Sequence, residues 1–271
     1  VGKQVLLPII EFPAPSISMA VYAKKSGEED KVFSDLARLQ EEDPSITIGK
    51  NTGTTETLLS GQGELHIEVI RSKLSSRFGA EAVLKDPKLP YRGTVRKTIK
   101  AEGRHKKQSG GHGQFGHVWI EFSPTDDPAV EFEFVDAVVG GVVPRNFIPS
   151  VEQGLRENLG KGVLAGCPMV GILAKLYDGS YHAVDSSEMA FKTAARLAYK
   201  KMIDASPELL EPIYRAEILV PDEYMGDIIG DMNKRRGRIL GMNQVDGLQQ
   251  VVAEVPQAEM FKYATDLRSM T

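Results

Sequence analysis

The sequence predicts an α+β protein in which two small split-βαβ sandwiches flank a middle part with longer strands. The order strand, helix, hairpin, helix, strand can be followed through the first part of the chain, and much of it recurs after residue 206. Between these parts, apolar and polar residues alternate over long runs, which is typical of a sheet with one solvated face. With 271 residues, of which 41% are apolar and 26% charged, the chain has the composition of an ordinary soluble protein.

In the first part, a period of two predicts a strand over 17–22. Ser26 and Glu29 have the spacing of a capping box, so a helix is expected to begin there. A hairpin turn is expected at 51–53, and a second helix over 63–78, ended by the glycine that follows it. The apolar stripe of this second helix is predicted to contain Leu65, Val69, Ile70, Leu74 and Phe78.

The middle part begins near Tyr91, and its alternating residues predict strands over 118–122 and 131–134. A helix is expected over 145–159, because apolar residues recur there at helical intervals and glycines follow. Alternation over 170–176 predicts a further strand.

The segment after that strand carries two local signals. Asp178-Gly179 predicts a tight turn, since this dipeptide favours the backbone angles of hairpin turns. Asp185 and Glu188 have capping-box spacing, which predicts a helix that begins near Ser186. Helix capping accounts for the acidic and hydroxyl residues of this segment without a catalytic role.

The last part is predicted to contain a strand over 213–220, a helix over 223–236, two strands around Asp246-Gly247 and a final helix. A split-βαβ sandwich requires a fourth strand after that helix. The chain ends at Thr271 before such a strand, so a fragment of a longer protein is expected.

The stretch QSGGHGQFGH, residues 108–117, contains four glycines and predicts an exposed loop tip that lets another molecule approach its backbone. The basic residues that lead into it are Arg92, Arg96, Lys97, Lys100, Arg104, Lys106 and Lys107. A second basic cluster consists of Lys234, Arg235, Arg236 and Arg238. The formal net charge of -4 argues against nonspecific coating of nucleic acid. Each cluster is interpreted either as an RNA contact or as a solvated face.

Several kinds of catalytic and metal site are excluded. Residues 111–116 match G-x-G-x-x-G, but a strand pattern follows, whereas a dinucleotide site requires a helix. The sequence contains no P-loop, zinc-ligand spacing or nucleophile elbow, so no catalytic or metal-binding residue is predicted. His66 is interpreted as a helix or interface histidine. Neither a membrane span nor a signal peptide is present in the sequence, so a cytoplasmic protein is expected.

Long ordered strings make the sequence recognisable. In chain order they are LSGQGELHIEVI, QSGGHGQFGHV, GGVVPRNFIPSVEQG, LYDGSYHAVDSSEMAFK, LEPIYRAEILVPDEYMGDIIGDMNKRRGRILGM and AEVPQAEMFKYATDLRS. Together they resemble the C-terminal half of translation elongation factor G or of an elongation factor G-like paralogue. The resemblance covers nearly the whole chain.

The resemblance implies three domains: domain III over 1–88, with a short N-terminal lead-in, domain IV over 89–206 and domain V over 207–271. Domains III and V would be ferredoxin-like, flanking an elongated α+β domain IV, and domain V would lack its last strand. The GTPase domain, with its GTP and magnesium, would precede this chain and be absent from it. No cofactor and no catalysis are therefore expected of this chain alone.

The family's function is translocation of tRNA and mRNA. GTP-driven engagement with the ribosome brings domain IV into the decoding region, where it keeps the tRNA–mRNA duplex from slipping back. The expected partners are ribosomal RNA, tRNA–mRNA, the stalk base and, in the full-length protein, the GTPase domain. A monomer without membrane contact is expected.

Matched motifs carry the family's contact sites to positions of this chain. RNA contacts are implied for two tip loops, with Gln114 and His182 as the side chains expected to touch RNA. The tip-loop residues are Ser109, Gly110, Gly111, His112, Gly113, Gln114, Ser180, Tyr181 and His182. A third loop near the tip comprises Val143, Pro144, Arg145 and Asn146. Arg235 and Arg236 of domain V would meet large-subunit RNA, and His66 of domain III would face the GTPase domain.

The sequence departs from the commonest family pattern at the tip. His112 stands where arginine is usual and Phe115 where tyrosine is usual. The third loop has Arg145-Asn146-Phe147 where Lys-Glu-Tyr is frequent. These departures are typical of the paralogues, so ribosome recycling and a specialised task stay open beside bulk translocation. A ribosomal protection factor of the same architecture is a further alternative.

Overall fold

The computed structural model describes residues 12–51, 53–108, 113–127 and 129–271. The chain divides into two compact units. One unit combines the residues up to Pro90 with Pro212–Thr271, and the other is Tyr91–Glu211. Each unit is described by itself below.

The first sandwich has the predicted order of strands and helices. Its elements are β1 (Ile17–Ala23), α1 (Glu29–Glu42), β2 (Thr47–Lys50), β3 (Thr57–Gly61), α2 (Glu64–Phe78) and β4 (Ala82–Lys85). The strands form an antiparallel sheet in the order β2-β3-β1-β4, so the first strand lies inside the sheet between β3 and β4. Apolar residues from both helices and three of the strands form one core. The split-βαβ prediction for this part is confirmed.

Helix α1 does not begin with the predicted capping box. The residue before it is Glu28, which makes no side-chain cap hydrogen bond. Gly27 has a φ of +88°, a turn of the chain that separates Ser26 from the first helical turn. Instead, the Gly27 N–H donates to the Glu29 carboxylate at 2.8 Å. The capping-box prediction for Ser26 and Glu29 is therefore wrong.

Helix α2 ends as predicted, at a glycine with left-handed backbone angles, but its buried stripe differs from the predicted one. The side chains buried in the core are Ile67, Ile70 and Leu74, and Phe78 packs against it partly buried, as predicted. Leu65 is 79% exposed and Val69 is 42% exposed. Both lie at i, i+4 on a neighbouring stripe, which a simple apolar count cannot separate from the buried one.

The second unit contains the long strands. Its elements are β5 (Arg92–Val95), β6 (Ile99–Lys107), β7 (Gln114–Pro124), β8 (Phe132–Asp136), α3 (Ile148–Leu159), β9 (Ile172–Ser180), α4 (Glu188–Lys200) and β10 (Pro207–Leu210). Four strands form a sheet in the order β6-β7-β9-β8, in which only β8 and β9 run parallel. Strands β5 and β10 pair separately as a two-stranded ribbon. Short 3₁₀ turns precede α3 and follow α4.

Helix α4 lies unusually close to strands β6 and β7. A Cβ added at Gly103 would stand 1.9 Å from the carbonyl oxygen of Ala194, and one added at Gly116 would stand 2.5 Å from that of Ala190. On the helix side the contact residues are mostly alanines, which are fully buried. Small residues on both sides therefore bring the two backbones together.

Strand β9 runs straight through Asp178-Gly179, so the predicted tight turn there is wrong. The pairing with β7 shifts between Trp119 and Ile120, which leaves Tyr177 as the extra residue of a β-bulge. Gly179 is required because a Cβ at that position would stand 2.4 Å from the carbonyl oxygen of His117. The dipeptide thus marks a bulge and a close approach of two strands rather than a reversal of the chain.

The last part of the first unit contains β11 (Ile213–Val220), α5 (Met225–Lys234), β12 (Arg238–Val245), β13 (Leu248–Pro256) and α6 (Tyr263–Met270). The strands form an antiparallel sheet in the order β11-β13-β12. Asp246 and Gly247 both have positive φ, as the predicted hairpin turn requires. Within the same unit, Arg268 of α6 donates to the carbonyl oxygen of Gln62 at 3.0 Å, so the last helix contacts the first sandwich.

The predicted α+β class is confirmed by these sheets and helices. Within the described ranges, no helix is long and apolar enough to cross a membrane.

The close packing of α4 predicts a large effect of Gly103→Ala. The added methyl meets helix backbone, which cannot move aside, so the free energy of unfolding should fall by about 3 kcal/mol. Urea denaturation followed by the fluorescence of Trp119, the single tryptophan, reports on this unit directly. The control is Gly160→Ala, because a Cβ there meets nothing within 4 Å. Equal unfolding midpoints for the two variants would contradict the packing.

Candidate nucleic-acid interface

The structure brings described residues of both predicted tip loops to one end of the β6-β7-β9-β8 sheet. Gly113 and Gln114 stand at the start of β7, and Ser180 ends the neighbouring strand β9. His117 of β7 pairs with Ser180 of β9, so the loop after β9 begins close to the start of β7. The remaining predicted residues of the first loop, 109–112, lie outside the described residues.

The loop between β9 and α4 is hydrogen-bonded to the start of β7. The Gly113 N–H donates to Asp185 Oδ1 at 3.0 Å, and the Phe115 N–H donates to the Asp185 carbonyl oxygen at 2.8 Å. The Ser186 hydroxyl donates to the Phe115 carbonyl oxygen at 3.0 Å. The described end of the first loop is therefore joined to the second loop by hydrogen bonds at this end of the sheet.

Asp185 is not the helix cap that the sequence predicts. Helix α4 is capped by Ser187, whose hydroxyl accepts a hydrogen bond from the Ala190 N–H at 3.2 Å. The carboxylate of Asp185 points instead to the first tip loop. The capping-box spacing predicted a helix in the correct segment, but the helix begins at Glu188, two residues later than expected, and its capping residue is Ser187.

His182 stands in the second tip loop with a side chain that is 56% exposed. Its Nδ1 accepts a hydrogen bond from the Asp185 N–H at 3.2 Å, and its backbone N–H donates to the Ser186 hydroxyl at 2.9 Å. Because Nδ1 faces a donor, the proton of the neutral ring lies on Nε2. That ring N–H forms no hydrogen bond with any described residue and can donate to an external acceptor.

Gln114 carries an exposed side chain on the first residue of β7. His105 Nε2 lies 2.9 Å from the Gln114 amide oxygen, so a protonated Nε2 donates to that oxygen. The amide N–H groups then remain for another partner. A cleft of about 220 Å³ is lined by both Gln114 and His182.

Only some residues of the first basic cluster carry positive charge that no described acid neutralises. Arg104, Lys106 and Lys107 are exposed on the half of β6 that leads to the loops, and they form no ion pair with a described residue. The partnered members are Arg92 with Glu131, Arg96 with Glu208 and Lys100 with Glu121. Lys97, before the strand, is exposed and forms no ion pair with a described residue. Positive charge is therefore concentrated at the loop end of the strand.

Ser180 is held inside the sheet by a chain of hydrogen bonds. Its hydroxyl lies 2.8 Å from His117 Nδ1, and His117 Nε2 lies 3.0 Å from a carboxylate oxygen of Glu102. The hydroxyl donates to the ring, whose other N–H donates to the carboxylate. This chain joins β9, β7 and β6, so Ser180 fixes the base of the second loop, while Tyr181 beyond it is exposed.

The third loop is divided between core and surface. Val143 is fully buried in the core of its unit, so its side chain is not available to a partner at the tip. Pro144 is half-buried, and the ring of Phe147 stacks on Phe191 with centroids 4.8 Å apart. Exposed side chains in this loop belong to Arg145 and Asn146, and the position of this loop near the tip stays a prediction.

Arg235 forms hydrogen bonds within its own domain that give it a structural role. Its guanidinium donates to Asp231, to Asp266 and to the carbonyl oxygen of Glu259, each at 2.7 Å, and only 18% of the side chain is exposed. These bonds join α5 to the last helix. An RNA contact by this guanidinium would break them, so the geometry does not favour the role predicted for Arg235. Arg236 is 54% exposed and bonds Glu259 at 3.1 Å, and its RNA contact stays a prediction.

His66 links the two helices of the first sandwich. The Gln62 N–H donates to His66 Nδ1 at 3.2 Å, and Nε2 lies 2.9 Å from a carboxylate oxygen of Asp43. Hydrogen bonds from Ser45 and from this ring hold the pKa of Asp43 below its usual value. His66 therefore has a structural role, because it ties the start of α2 to Asp43 at the end of α1. Its contact with a GTPase domain stays a prediction.

Comparison with known proteins agrees with this architecture. Three family models match in chain order: Elongation Factor G, domain III, over residues 12–86, Elongation factor G, domain IV, over 87–206, and Elongation factor G C-terminus over 208–271. A crystal structure of a protein from Thermus thermophilus is similar to the chain with a TM-score of 0.86 and 42% sequence identity. That similarity covers 100% of this chain and 41% of the other, so this chain spans about two fifths of that protein's length.

These matches define a set of translation elongation factor domains. More specifically, the chain belongs to the elongation factor G family.

The contacts of Arg235 predict that Arg235→Ala destabilises its domain. Removing the guanidinium leaves Asp231, which is mostly buried, without its partner, so the free energy of unfolding should fall by about 2 kcal/mol. Differential scanning calorimetry measures the loss. Arg238→Ala is the matched control, because Arg238 is 76% exposed and its ion pair with Glu254 should contribute less than about 1 kcal/mol. Unchanged unfolding of Arg235→Ala together with weaker RNA binding would restore the predicted contact role.

Proposed function

We propose that the chain is the ribosome-binding part of a translational GTPase that promotes tRNA–mRNA translocation, with the tip of domain IV contacting RNA of the decoding region. Family membership supports a role in translation. The observation that carries the proposal is the placement of two exposed hydrogen-bonding side chains, Gln114 and His182, at one sheet end beside basic residues that pair with no described acid.

The arrangement suits a paired RNA target. An amide and an imidazole N–H donate to base edges or 2′-hydroxyls, which the wide minor groove of an RNA helix displays. Arg104, Lys106 and Lys107 stand behind these donors and offset phosphate charge. Because the loops are bonded to each other and to the sheet, the donors are held in place before binding. Donors held in this way resist backward movement of a bound duplex.

The other contacts follow from the same proposal. Domain III, with His66, would couple the GTPase domain of the full-length protein to domain IV. Domain V, with Arg236, would meet large-subunit RNA near the stalk base. GTP and magnesium would bind in the GTPase domain, and the protein would act as a cytoplasmic monomer.

A paralogue with a recycling or specialised task is the second candidate, and Phe115 is the observation that favours it. Its ring lies 6.4 Å from the His182 ring and has no hydroxyl to offer to RNA, where tyrosine is usual in the main factor. A tip with one polar group fewer suits a different RNA partner or a weaker contact.

The central prediction concerns the double variant Gln114→Ala with His182→Ala in the full-length protein. Each lost hydrogen bond is worth about 1 kcal/mol, so single-round translocation should slow roughly 30-fold. GTP hydrolysis stimulated by the ribosome should be retained, because it depends on another domain. Rapid-mixing assays with fluorescent mRNA, run beside phosphate-release assays, measure the two rates.

Gln153→Ala is the matched control for the glutamine, since Gln153 is exposed on α3 in the same unit. Translocation at the normal rate in the double variant would refute the tip assignment. Ribosome splitting without translocation by the unaltered protein would favour the recycling paralogue. Antibiotic tolerance conferred on expression would indicate a protection factor instead.

The exposed lysines at the end of β6 give a separate prediction. Each phosphate contact contributes about 0.7 to 0.9 to the slope of log affinity against log salt concentration. Binding of the chain to ribosomes can be titrated with potassium chloride. In the double variant Lys106→Ala with Lys107→Ala, the magnitude of this negative slope should decrease by about 1.5, so affinity becomes less sensitive to salt. Lys200→Ala with Lys201→Ala, another exposed adjacent pair, should leave the slope unchanged. Equal slopes for both double variants would exclude phosphate contact by the β6 lysines.

A further inference from the structure

One carboxylate stands between the two tip loops. Asp185 Oδ1 accepts the Gly113 N–H at 3.0 Å, and Asp185 Oδ2 lies 3.3 Å from His182 Nδ1. The hydrogen bond to the ring comes from the Asp185 backbone N–H, which donates to His182 Nδ1 at 3.2 Å. Because Gly113 precedes Gln114 directly, Asp185 contacts the neighbour of one proposed RNA-contacting residue and the ring of the other. The Asp185 side chain is 27% exposed, and solvent is therefore largely excluded from it.

The backbone around Gly113 is fitted to this carboxylate. A Cβ at Gly113 would stand 2.8 Å from Asp185 Oδ2 and 2.9 Å from its carboxyl carbon. Any larger residue at this position would therefore push the carboxylate away. Glycine at position 113 permits the contact, in addition to the conformational freedom for which the loop sequence suggests it.

Local structure does not require the Asp185 side chain. Helix α4 has its own cap in Ser187, and the bond from the Phe115 N–H goes to the Asp185 backbone oxygen. Removing the carboxylate thus leaves the helix cap and the strand-like pairing in place. What it removes is the link from the Asp185 side chain to Gly113, while the Ser186 hydroxyl still bonds the Phe115 carbonyl oxygen.

We propose that Asp185 is a positioning residue that couples the two tip loops, so that Gln114 and His182 are presented to RNA as one rigid pair. This inference rests on the proposed function of the tip. The Gly113 N–H donates to a charged carboxylate, and such a hydrogen bond is stronger than one between neutral groups. The His182 ring is held to the same residue by the Asp185 backbone N–H. Asp185 itself need not touch RNA, since it acts through the loop backbone and the imidazole.

The first test uses the free 271-residue chain and needs no ribosome. In Asp185→Ala, hydrogen exchange of the Gly113 amide, measured by NMR, should quicken about tenfold, and the ring signals of His182 should shift. Asp185→Asn keeps an acceptor oxygen for Gly113 and should restore most of the protection. Asp204→Ala, at an exposed site in the same unit, should change neither signal.

The second test is a mutant cycle on binding to purified ribosomes. Asp185→Ala should weaken binding about tenfold in the unaltered chain, but by less than about twofold when Gln114 and His182 are already alanine. Gly113→Ala should reproduce the loss from the other side of the contact. Gly160→Ala is its control, because a Cβ there meets nothing within 4 Å.

The outcomes separate the two proposals. Unchanged exchange of the Gly113 amide in Asp185→Ala would overturn the coupling, as would full additivity of this variant with the double alanine variant. If the double alanine variant binds ribosomes normally, the tip assignment fails, while the exchange measurement still decides whether Asp185 couples the loops. Gly113→Ala keeps the test decisive if Asp185→Ala does not fold.

Discussion

The close approach of helix α4 to strands β6 and β7 is the constraint on which the second unit depends. At Gly103 and Gly116 the backbones of sheet and helix are so close that no side chain fits between them. The facing residues of α4 are mostly buried alanines. This contact fixes where α4 begins, and therefore where the loop before it must lie. That loop is pressed against the start of β7, where it can bond to Gly113. Backbone proximity in the core thus determines the geometry at the sheet end.

Most elements could be predicted because their signals are local. Alternation identified β7, and Asp246-Gly247 identified a hairpin whose two residues both take positive φ. The same kind of dipeptide misled at Asp178-Gly179, where the glycine is needed for a close approach between strands rather than for a turn. Local sequence states that a residue tolerates a conformation or lacks a side chain. It does not state which of these two properties the fold uses.

In the candidate site, too, some features could be predicted from the sequence and others depend on contacts that the sequence does not reveal. Resemblance to a family indicated which loops contain the expected RNA contacts. The structure supports Gln114 and His182 as exposed donors at one sheet end. Resemblance could not indicate that Val143 points into the core or that Arg235 is engaged by acidic residues of its own domain, because both facts depend on contacts between distant segments. The spacing of Asp185 to Glu188 indicated only a helix cap. Its real contact, a carboxylate opposite a glycine, joins residues 72 positions apart in the sequence.

The bulge at Tyr177 determines which way the end of β9 faces. Side chains alternate along a strand, so one extra residue reverses the facing of all that follow. With the bulge, Ser180 shares the face of His117 and Gly179 shares the helix-facing side of Val118. Without it, the carboxylate of Asp178 would enter the core and the second loop would leave the sheet from the opposite face. A single inserted residue in the middle of a strand therefore determines the face of the sheet from which a loop several residues away departs.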